Sequence, residues 1–159
     1  MKPFIDIEPG RILRVFSQVE SKAIQRRWME VYGKNWRGLN TGAFMWHLFS
    51  GGGYPAQERQ DAQRAYDEHQ ADQYVVLSND GLSALLTDLR PTNLTWKDVY
   101  VFPKNLAWTM AFTHEVGWLG PYFAKHRNYA ALDRANALLS RKAERRLAQI
   151  RVAKAKGWM

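Results

Sequence analysis

The sequence predicts an α+β protein, with an antiparallel or mixed sheet of about four or five strands packed by helices and a long basic helix at the C-terminus. Three observations support this class. The middle of the 159-residue chain holds short apolar runs separated by turn residues, an amphipathic helical pattern precedes them, and apolar residues recur every three or four positions after residue 129. With 46% hydrophobic and 24% charged residues, the chain has the composition of one globular domain.

The first predicted element is an N-terminal helix. Ser17 and Glu20 have the spacing of a capping box, in which each side chain bonds to the backbone of the other residue. Apolar residues then follow on one helical face from Ile24 to Tyr32, and Gly33 is a typical helix stop. A helix beginning near Ser17 and ending near Gly33 is expected.

The next segments are less regular. The stretch AFMWHLFS at 43–50 fits either a buried strand or a short helix, because its apolar residues are almost continuous. After the flexible run SGGGYP, residues 56–73 predict a surface helix whose thin apolar stripe includes Ala62, Ala65 and Tyr66.

The predicted strands follow. Asp80 and Gly81 suit the positive φ angles of a tight turn, so the apolar runs on either side of them predict a hairpin. The further strand candidates are VYVF at 99–102, WTMAFT at 108–113 and PYF at 121–123.

The last predicted element is one long helix from Tyr129 to Lys156, roughly 40 Å long at 1.5 Å per residue. The chain is therefore divided into an α+β domain at 1–128 and a basic helical extension at 129–159. Residues 1–124 hold 13 Lys or Arg and 13 Asp or Glu, whereas residues 125–159 hold 10 Lys or Arg and 2 Asp or Glu. The whole net charge of +8 thus lies in residues 125–159 and most of it in the extension, which indicates an electrostatic role for this end of the chain.

The composition also excludes several classes of protein. With no cysteine, the chain forms no disulfide framework, thiolate zinc site or cysteine nucleophile. No apolar stretch approaches the roughly 18 residues of a membrane span, and an acidic residue, Glu8, interrupts the N-terminus before any signal-like run. We expect a cytoplasmic protein that does not enter membranes, and no motif predicts a cofactor.

Two segments, WHLFS at 46–50 and DVYVFPKNLAWTMAFTHEVGWLGPYF at 98–123, resemble a family of small bacterial proteins described as a domain of unknown function. The residues that carry the resemblance are Trp46, His47, Phe49, Ser50, Thr113, His114, Glu115, Trp118, Gly120, Pro121, Tyr122 and Phe123. It covers about residues 25–125 and implies a bacterial or phage source and a small α+β domain, without implying a reaction. The glycine run at 51–53 and the basic tail depart from the family pattern.

The adjacent His114 and Glu115 are candidate catalytic residues, together with His47. The metalloprotease spacing His-Glu-x-x-His is absent because position 118 is Trp, although His47 and His114 could meet a carboxylate such as Glu115 or Asp98 at a metal site. If the chain is extended through this stretch, His114 lies on the apolar face and Glu115 on the opposite face. A structural role is therefore the favoured interpretation of the pair, and no metal site is predicted.

Candidate partner-binding residues lie in two places. Trp118 and Tyr122 fall in a Gly-Pro corner where an aromatic ring can contact a protein partner. The helical extension contributes cationic side chains, namely Arg141, Lys142, Arg145, Arg146 and Arg151.

Small size and the lack of a complete catalytic motif favour a non-enzymatic intracellular binding protein, most specifically an immunity or antitoxin protein that neutralises a protein partner. The first alternative is a nucleic-acid-associated protein acting through the helix at 129–156, since a cationic helix can neutralise phosphates. The second alternative is a hydrolase using His47, His114 and Glu115.

Overall fold

The computed structural model describes residues 7–115 and 118–158. The helices of these residues are α1 (Gln18–Tyr32), α2 (His47–Ser50), α3 (Arg59–Glu68) and α4 (Tyr129–Ala155). The strands are β1 (Ile7–Glu8), β2 (Ile12–Val15), β3 (Gln57–Glu58), β4 (Tyr74–Ser78), β5 (Ala84–Thr87), β6 (Asn93–Leu94), β7 (Val99–Pro103), β8 (Trp108–Phe112) and β9 (Tyr122–Lys125). The predicted α+β class is confirmed.

The main sheet has seven strands in the order β2-β5-β4-β7-β8-β9-β3, and every neighbouring pair is antiparallel. A separate two-stranded sheet joins β1 to β6. The prediction of four or five strands was therefore too low. Its five strand candidates are β4, β5, β7, β8 and β9, whereas the edge strands β2 and β3 are exposed along their whole length and lack the apolar alternation that marks a strand in a sequence.

Helix α1 begins as its sequence predicts. The Ser17 side chain accepts a hydrogen bond from the Glu20 backbone, and the Glu20 side chain accepts one from the Ser17 backbone. The backbone bond from Ser17 is the main cause that lowers the pKa of the Glu20 carboxyl. Trp28 and Tyr32 are fully buried, so one face of α1 covers the sheet.

Side chains that alternate along the central strands fill a separate core on each face of the sheet. The core under α1 and α2 is built on Val75, Leu77, Leu86, Tyr100, Phe102 and Tyr122. The core under α3 is built on Tyr74, Val76, Val101, Trp108, Met110 and Phe123, with Tyr66 from the helix. The sheet is thus the middle layer of three, and both of its faces are buried.

The undecided segment and the predicted surface helix are both helical. The stretch around WHLFS forms the short helix α2 rather than a strand, and its Leu48 and Phe49 are buried. Helix α3 is shorter than the predicted segment, but Ala62, Ala65 and Tyr66 form its buried face as expected.

The predicted long C-terminal helix is confirmed as α4. Its first turns attach it to the body, where the Asn105 amide donates to the Leu132 carbonyl oxygen (3.1 Å) and the Asn136 amide donates to Asn105 Oδ1 (3.2 Å). Asn136 is the buried residue of this helix, and the turns beyond it are mostly exposed. Within the described part of the chain, no helix is long and apolar enough to cross a membrane.

Candidate functional site

A polar cluster forms where the start of β7 meets the end of β8. Val99 pairs with Phe112 across these antiparallel strands. Asp98, which precedes β7, therefore lies beside His114, which follows β8. Residues that are 16 positions apart in sequence meet at one edge of the structure.

The Asp98 carboxylate accepts hydrogen bonds from two elements. Its Oδ1 atom accepts from the indole N–H of Trp46 (3.1 Å) and from the backbone N–H of His114 (3.1 Å). The His114 ring places Nδ1 2.9 Å from Oδ1 and 3.0 Å from Oδ2 of the same carboxylate. A carboxylate at Nδ1 orients the ring and favours the tautomer with its proton on that nitrogen, so that Nε2 faces away from Asp98.

Aromatic rings surround this imidazole. The Phe44 ring centroid lies 4.9 Å from that of His114, and the Trp46 centroid lies 6.1 Å away. Trp46 in turn stacks on Tyr122, with centroids 6.1 Å apart. The His114 side chain nevertheless stays 35% exposed, so one ring edge reaches solvent while the other rests on the core.

A buried hydrogen-bond chain holds Trp46 in place. The Tyr100 hydroxyl accepts from the Trp46 backbone N–H (2.9 Å) and donates to Asn79 Oδ1 (2.8 Å). Asn79 Oδ1 also accepts from the Met45 backbone N–H (3.1 Å). Burial raises the pKa of Tyr100 well above its ordinary value, so this hydroxyl remains a donor.

The separation of His114 from Glu115 was expected only for an extended chain, and the chain is no longer extended at His114. Strand alternation holds through Phe112, which shares the α3 side of the sheet with Trp108 and Met110, and β8 ends there. Because the chain bends after β8, His114 Nε2 lies 3.6 Å from Glu115 Oε1. His114 also rests on the aromatic rings of the α2 side rather than on the apolar face expected for it.

His47 belongs to the same aromatic surroundings but has its own partner. Its Nδ1 lies 2.8 Å from the Asn40 carbonyl oxygen, and its ring packs against Trp46 with centroids 4.6 Å apart. Among the described residues, no group of three or more His, Asp or Glu side chains is placed to hold a metal ion. His47, His114 and a carboxylate therefore do not form a metal-binding set in this part of the chain.

The two aromatic residues of the Gly-Pro corner have different environments. Trp118 is 75% exposed, whereas Tyr122 is 2% exposed and packs in the core as part of β9. Burial is the largest cause that raises the pKa of Tyr122. The predicted corner also includes Val116 and Gly117. These two residues lie outside the described residues. Of the two expected surface rings, Trp118 is the accessible one.

The cationic residues predicted to bind a partner all lie on the exposed part of α4. These residues are Arg141, Lys142, Arg145, Arg146 and Arg151. At 100° per residue they point in several directions around the helix. Apolar side chains on the same turns are also exposed, with Leu147 at 59% and Val152 at 50%.

Sequence reasoning missed the central role of Asp98 and the contact of Phe44. A usable signal existed for Asp98, because the strands VYVF and WTMAFT are close enough in sequence to form a hairpin. Aligning them places the residue before the first strand next to the residues after the second. Phe44 had no such signal, because its position depends on how the loop before α2 folds over the sheet.

The fold and site define a three-layer α+β protein with a carboxylate-bound histidine at the edge of its sheet. The family model described as "Domain of unknown function (DUF4275)" matches residues 29–123, and the chain belongs to this family. The matched residues include Trp46, Asp98 and His114 and end before α4 begins. Neither a curated protein nor a solved structure matches the chain.

Proposed function

We propose that this chain is a non-enzymatic binding protein whose contact surface is centred on Trp118. The observation that carries the proposal is an exposed indole whose backbone makes two hydrogen bonds to other residues. The Trp118 backbone N–H donates to the Glu115 carbonyl oxygen (2.9 Å), and Arg59 donates to the Trp118 carbonyl oxygen (3.4 Å). A large ring with few rotatable bonds loses little conformational entropy when a partner covers it, and Trp is enriched among residues that dominate binding energy.

The specific form of the proposal is an immunity or antitoxin protein of the bacterial cytoplasm that neutralises a protein partner. Its support is the combination of the Trp118 surface with the cations of α4. Such cations would attract a partner with an acidic face and accelerate its association. These cations would then contribute to the association rate more than to the lifetime of the complex. They are Arg141, Lys142, Arg145, Arg146 and Arg151.

Co-purification with matched tryptophan variants tests this proposal. The full-length protein would be used as bait in a bacterial lysate, as wild type, Trp118→Ala and Trp36→Ala. Trp36 is a suitable control because it is also exposed, at 51%, but lies in the loop after α1. We expect Trp118→Ala to weaken capture of the partner by at least about tenfold, as for a dominant interface residue.

The three baits should have the same melting temperature, since neither ring is buried. Equal capture by all three baits, or loss of capture with Trp36→Ala alone, would overturn the role of Trp118.

The second candidate function is nucleic-acid binding through α4. Its support is that the cationic side chains of this helix are exposed and that the helix extends beyond the body after Asn136. Binding of this kind depends on contacts to phosphates, so the affinity falls steeply as salt rises and depends little on base sequence.

Charge reversal distinguishes this candidate from protein binding. We expect Arg141→Glu with Arg145→Glu to weaken binding to generic duplex DNA or RNA and to lower the slope of log affinity against log salt, because each lost phosphate contact removes about one unit of that slope. The control is Arg26→Glu with Arg37→Glu, which reverses two exposed arginines of the body. Equal binding by both double variants, or no salt dependence, would exclude this candidate.

The hydrolase alternative has one supporting observation, the bond between Asp98 and His114 Nδ1. An imidazole oriented in this way can accept a proton at Nε2, and Glu115 lies 3.6 Å from that atom. A panel of ester and phosphoester substrates would test it with wild type and His114→Gln. Turnover that His114→Gln abolishes would favour a hydrolase over a binding protein.

A further inference from the structure

A second site lies at the opposite end of β7 from Asp98, between α1 and the sheet. One row of paired residues crosses four neighbouring strands there, since Arg14 pairs with Leu86, Leu86 pairs with Val75, and Val75 pairs with Phe102. Residues in such a row point to the same face of the sheet. This row forms the floor of a cleft whose opposite wall is α1.

The cleft is apolar inside. The apolar side chains that line it are Phe16, Ile24, Val75, Leu86, Phe102 and Leu106. Its volume is about 250 Å³, which lies just below the roughly 300–1,000 Å³ of sites for drug-sized ligands. The cleft therefore has the size for one short apolar chain.

The rim of the cleft is cationic. The charged residues that line it are Arg14, Arg27 and Lys104, and none of its lining residues is acidic. Arg14 already forms an ion pair with Glu20. Arg27 donates to the Lys104 carbonyl oxygen (3.4 Å), which brings these two residues together. Among the described residues, neither the Arg27 guanidinium nor the Lys104 ammonium forms an ion pair with a carboxylate.

We propose that this cleft binds a fatty-acid carboxylate of medium chain length, independently of the function assigned to Trp118. The alkyl chain would lie against Val75, Leu86 and Phe102, where transfer out of water is favourable. The carboxylate would remain at the rim, where the planar guanidinium of Arg27 can donate two parallel hydrogen bonds and Lys104 supplies a second cation. The charge of the rim selects an anion over a neutral or cationic amphiphile.

Titration calorimetry with decanoate tests the proposal on the full-length protein, below the concentration at which decanoate forms micelles. Decanol and decylammonium serve as neutral and cationic ligands with the same chain. We expect saturable binding of decanoate with one site per chain, and at least about tenfold weaker binding of the other two. Nuclear Overhauser contacts from ligand methylene protons to the methyl groups of Val75 and Leu86 would locate the chain in the cleft.

Lys104→Glu and Arg27→Glu should each weaken decanoate binding by at least about tenfold, because each replaces an attractive charge with a repulsive one. Lys97→Glu is the matched control. Lys97 lies just before the first residue of β7, at the end of the strand away from the cleft, so this variant should leave the affinity unchanged. All three variants change exposed side chains, so their melting temperatures should match the wild type. Equal binding of decylammonium, equal loss with Lys97→Glu, or no saturable binding of decanoate would each overturn the proposal.

Discussion

Asp98 and His114 are joined through both the backbone and the side chain of the histidine. Asp98 Oδ1 lies 3.1 Å from the His114 backbone nitrogen and 2.9 Å from ring Nδ1. The same carboxylate oxygen accepts from the Trp46 indole N–H (3.1 Å). One acidic side chain therefore binds the backbone just after β8, orients the imidazole and holds the segment before α2 against the sheet by a hydrogen bond.

The first prediction concerns this carboxylate. Asp98→Ala leaves the indole N–H of Trp46 without its acceptor, and an unpaired, largely buried donor costs about 1–3 kcal/mol. We expect the free energy of unfolding in urea to fall by that amount. Asp61→Ala is the control, because Asp61 is 69% exposed and its pairing with Arg64 contributes about 0–1 kcal/mol. Equal losses for the two variants would show that the Trp46 bond does not stabilise the fold.

The elements of the fold that could be predicted are those with a local signal. The capping pair Ser17 and Glu20 marks the start of α1, and the turn at Asp80 and Gly81 marks the hairpin of β4 and β5. Strands β2 and β3 carry no such signal, because their residues are exposed and pair only at the sheet edges. Whether such a segment pairs with the sheet depends on where the tertiary structure places the neighbouring strand.

The candidate site was harder to predict than the fold. The alternation in β8 is correct as far as Phe112, but sequence periodicity does not show where a strand ends. Here the end of β8 coincides with the backbone bond from His114 to Asp98, a contact between separate segments. That bend is what brings His114 and Glu115 together, so the geometry of the pair depends on tertiary structure.

The second prediction concerns a buried bond between α1 and the sheet. The Trp28 indole N–H donates to Thr109 Oγ1 at 3.0 Å, and both residues are fully buried. Thr109→Val keeps the shape but removes the acceptor, so the free energy of unfolding should fall by about 1–3 kcal/mol. The exposed Thr92 provides a control: its hydroxyl donates to the carbonyl oxygen of the exposed Glu8 (3.2 Å), which water can still reach after the change to Val, so the cost should be at most about 1 kcal/mol.

A double-mutant cycle with Trp28→Phe isolates this bond. If it stabilises the fold, Trp28→Phe should cost less in the Thr109→Val protein than in the wild type. Additive losses would mean that Thr109 acts through packing alone.

The third prediction is a loss of stability in mild acid that originates at His126. Burial, followed by the charges of Arg127 and Lys34, lowers the pKa of His126. The backbone N–H of Asn128, the residue before α4, donates to His126 Nδ1 at 2.9 Å, and a protonated ring cannot accept this bond. The unfolded chain therefore binds more protons than the folded protein as the pH falls below about 6.5, and the free energy of unfolding decreases with it.

Urea unfolding at about pH 7.5 and about pH 5.5 measures this loss, across the ordinary titration range of histidine. His126→Asn should show a smaller loss between the two pH values than the wild type. His47→Asn is the matched control, because it removes a histidine and leaves the bond from Asn128 to His126 in place. A wild-type loss that survives in His126→Asn would assign the pH dependence to another group.

The fourth prediction separates two constraints on Gly120, which lies between the exposed Trp118 and β9. Gly120 has a φ of +86°, and an added Cβ would lie 2.8 Å from Thr113 Cγ2. Thr113 cannot move easily, since its hydroxyl donates to the Leu119 carbonyl oxygen and its side chain is buried. Gly52 is a matched control with a φ of +78° and no atom within 4 Å of the added Cβ. Gly52→Ala should therefore cost only the backbone strain of about 1–2 kcal/mol.

Gly120→Ala should cost roughly 1–3 kcal/mol more than Gly52→Ala, because crowding in a packed site adds to the strain. Urea unfolding of the two variants measures this difference directly. Equal costs would show that Thr113 yields to the new methyl group and that only the positive φ selects glycine. If the added methyl group displaces Thr113 or Gly120, the Trp118 indole resonance should also shift in NMR spectra. Gly52→Ala should leave that resonance in place.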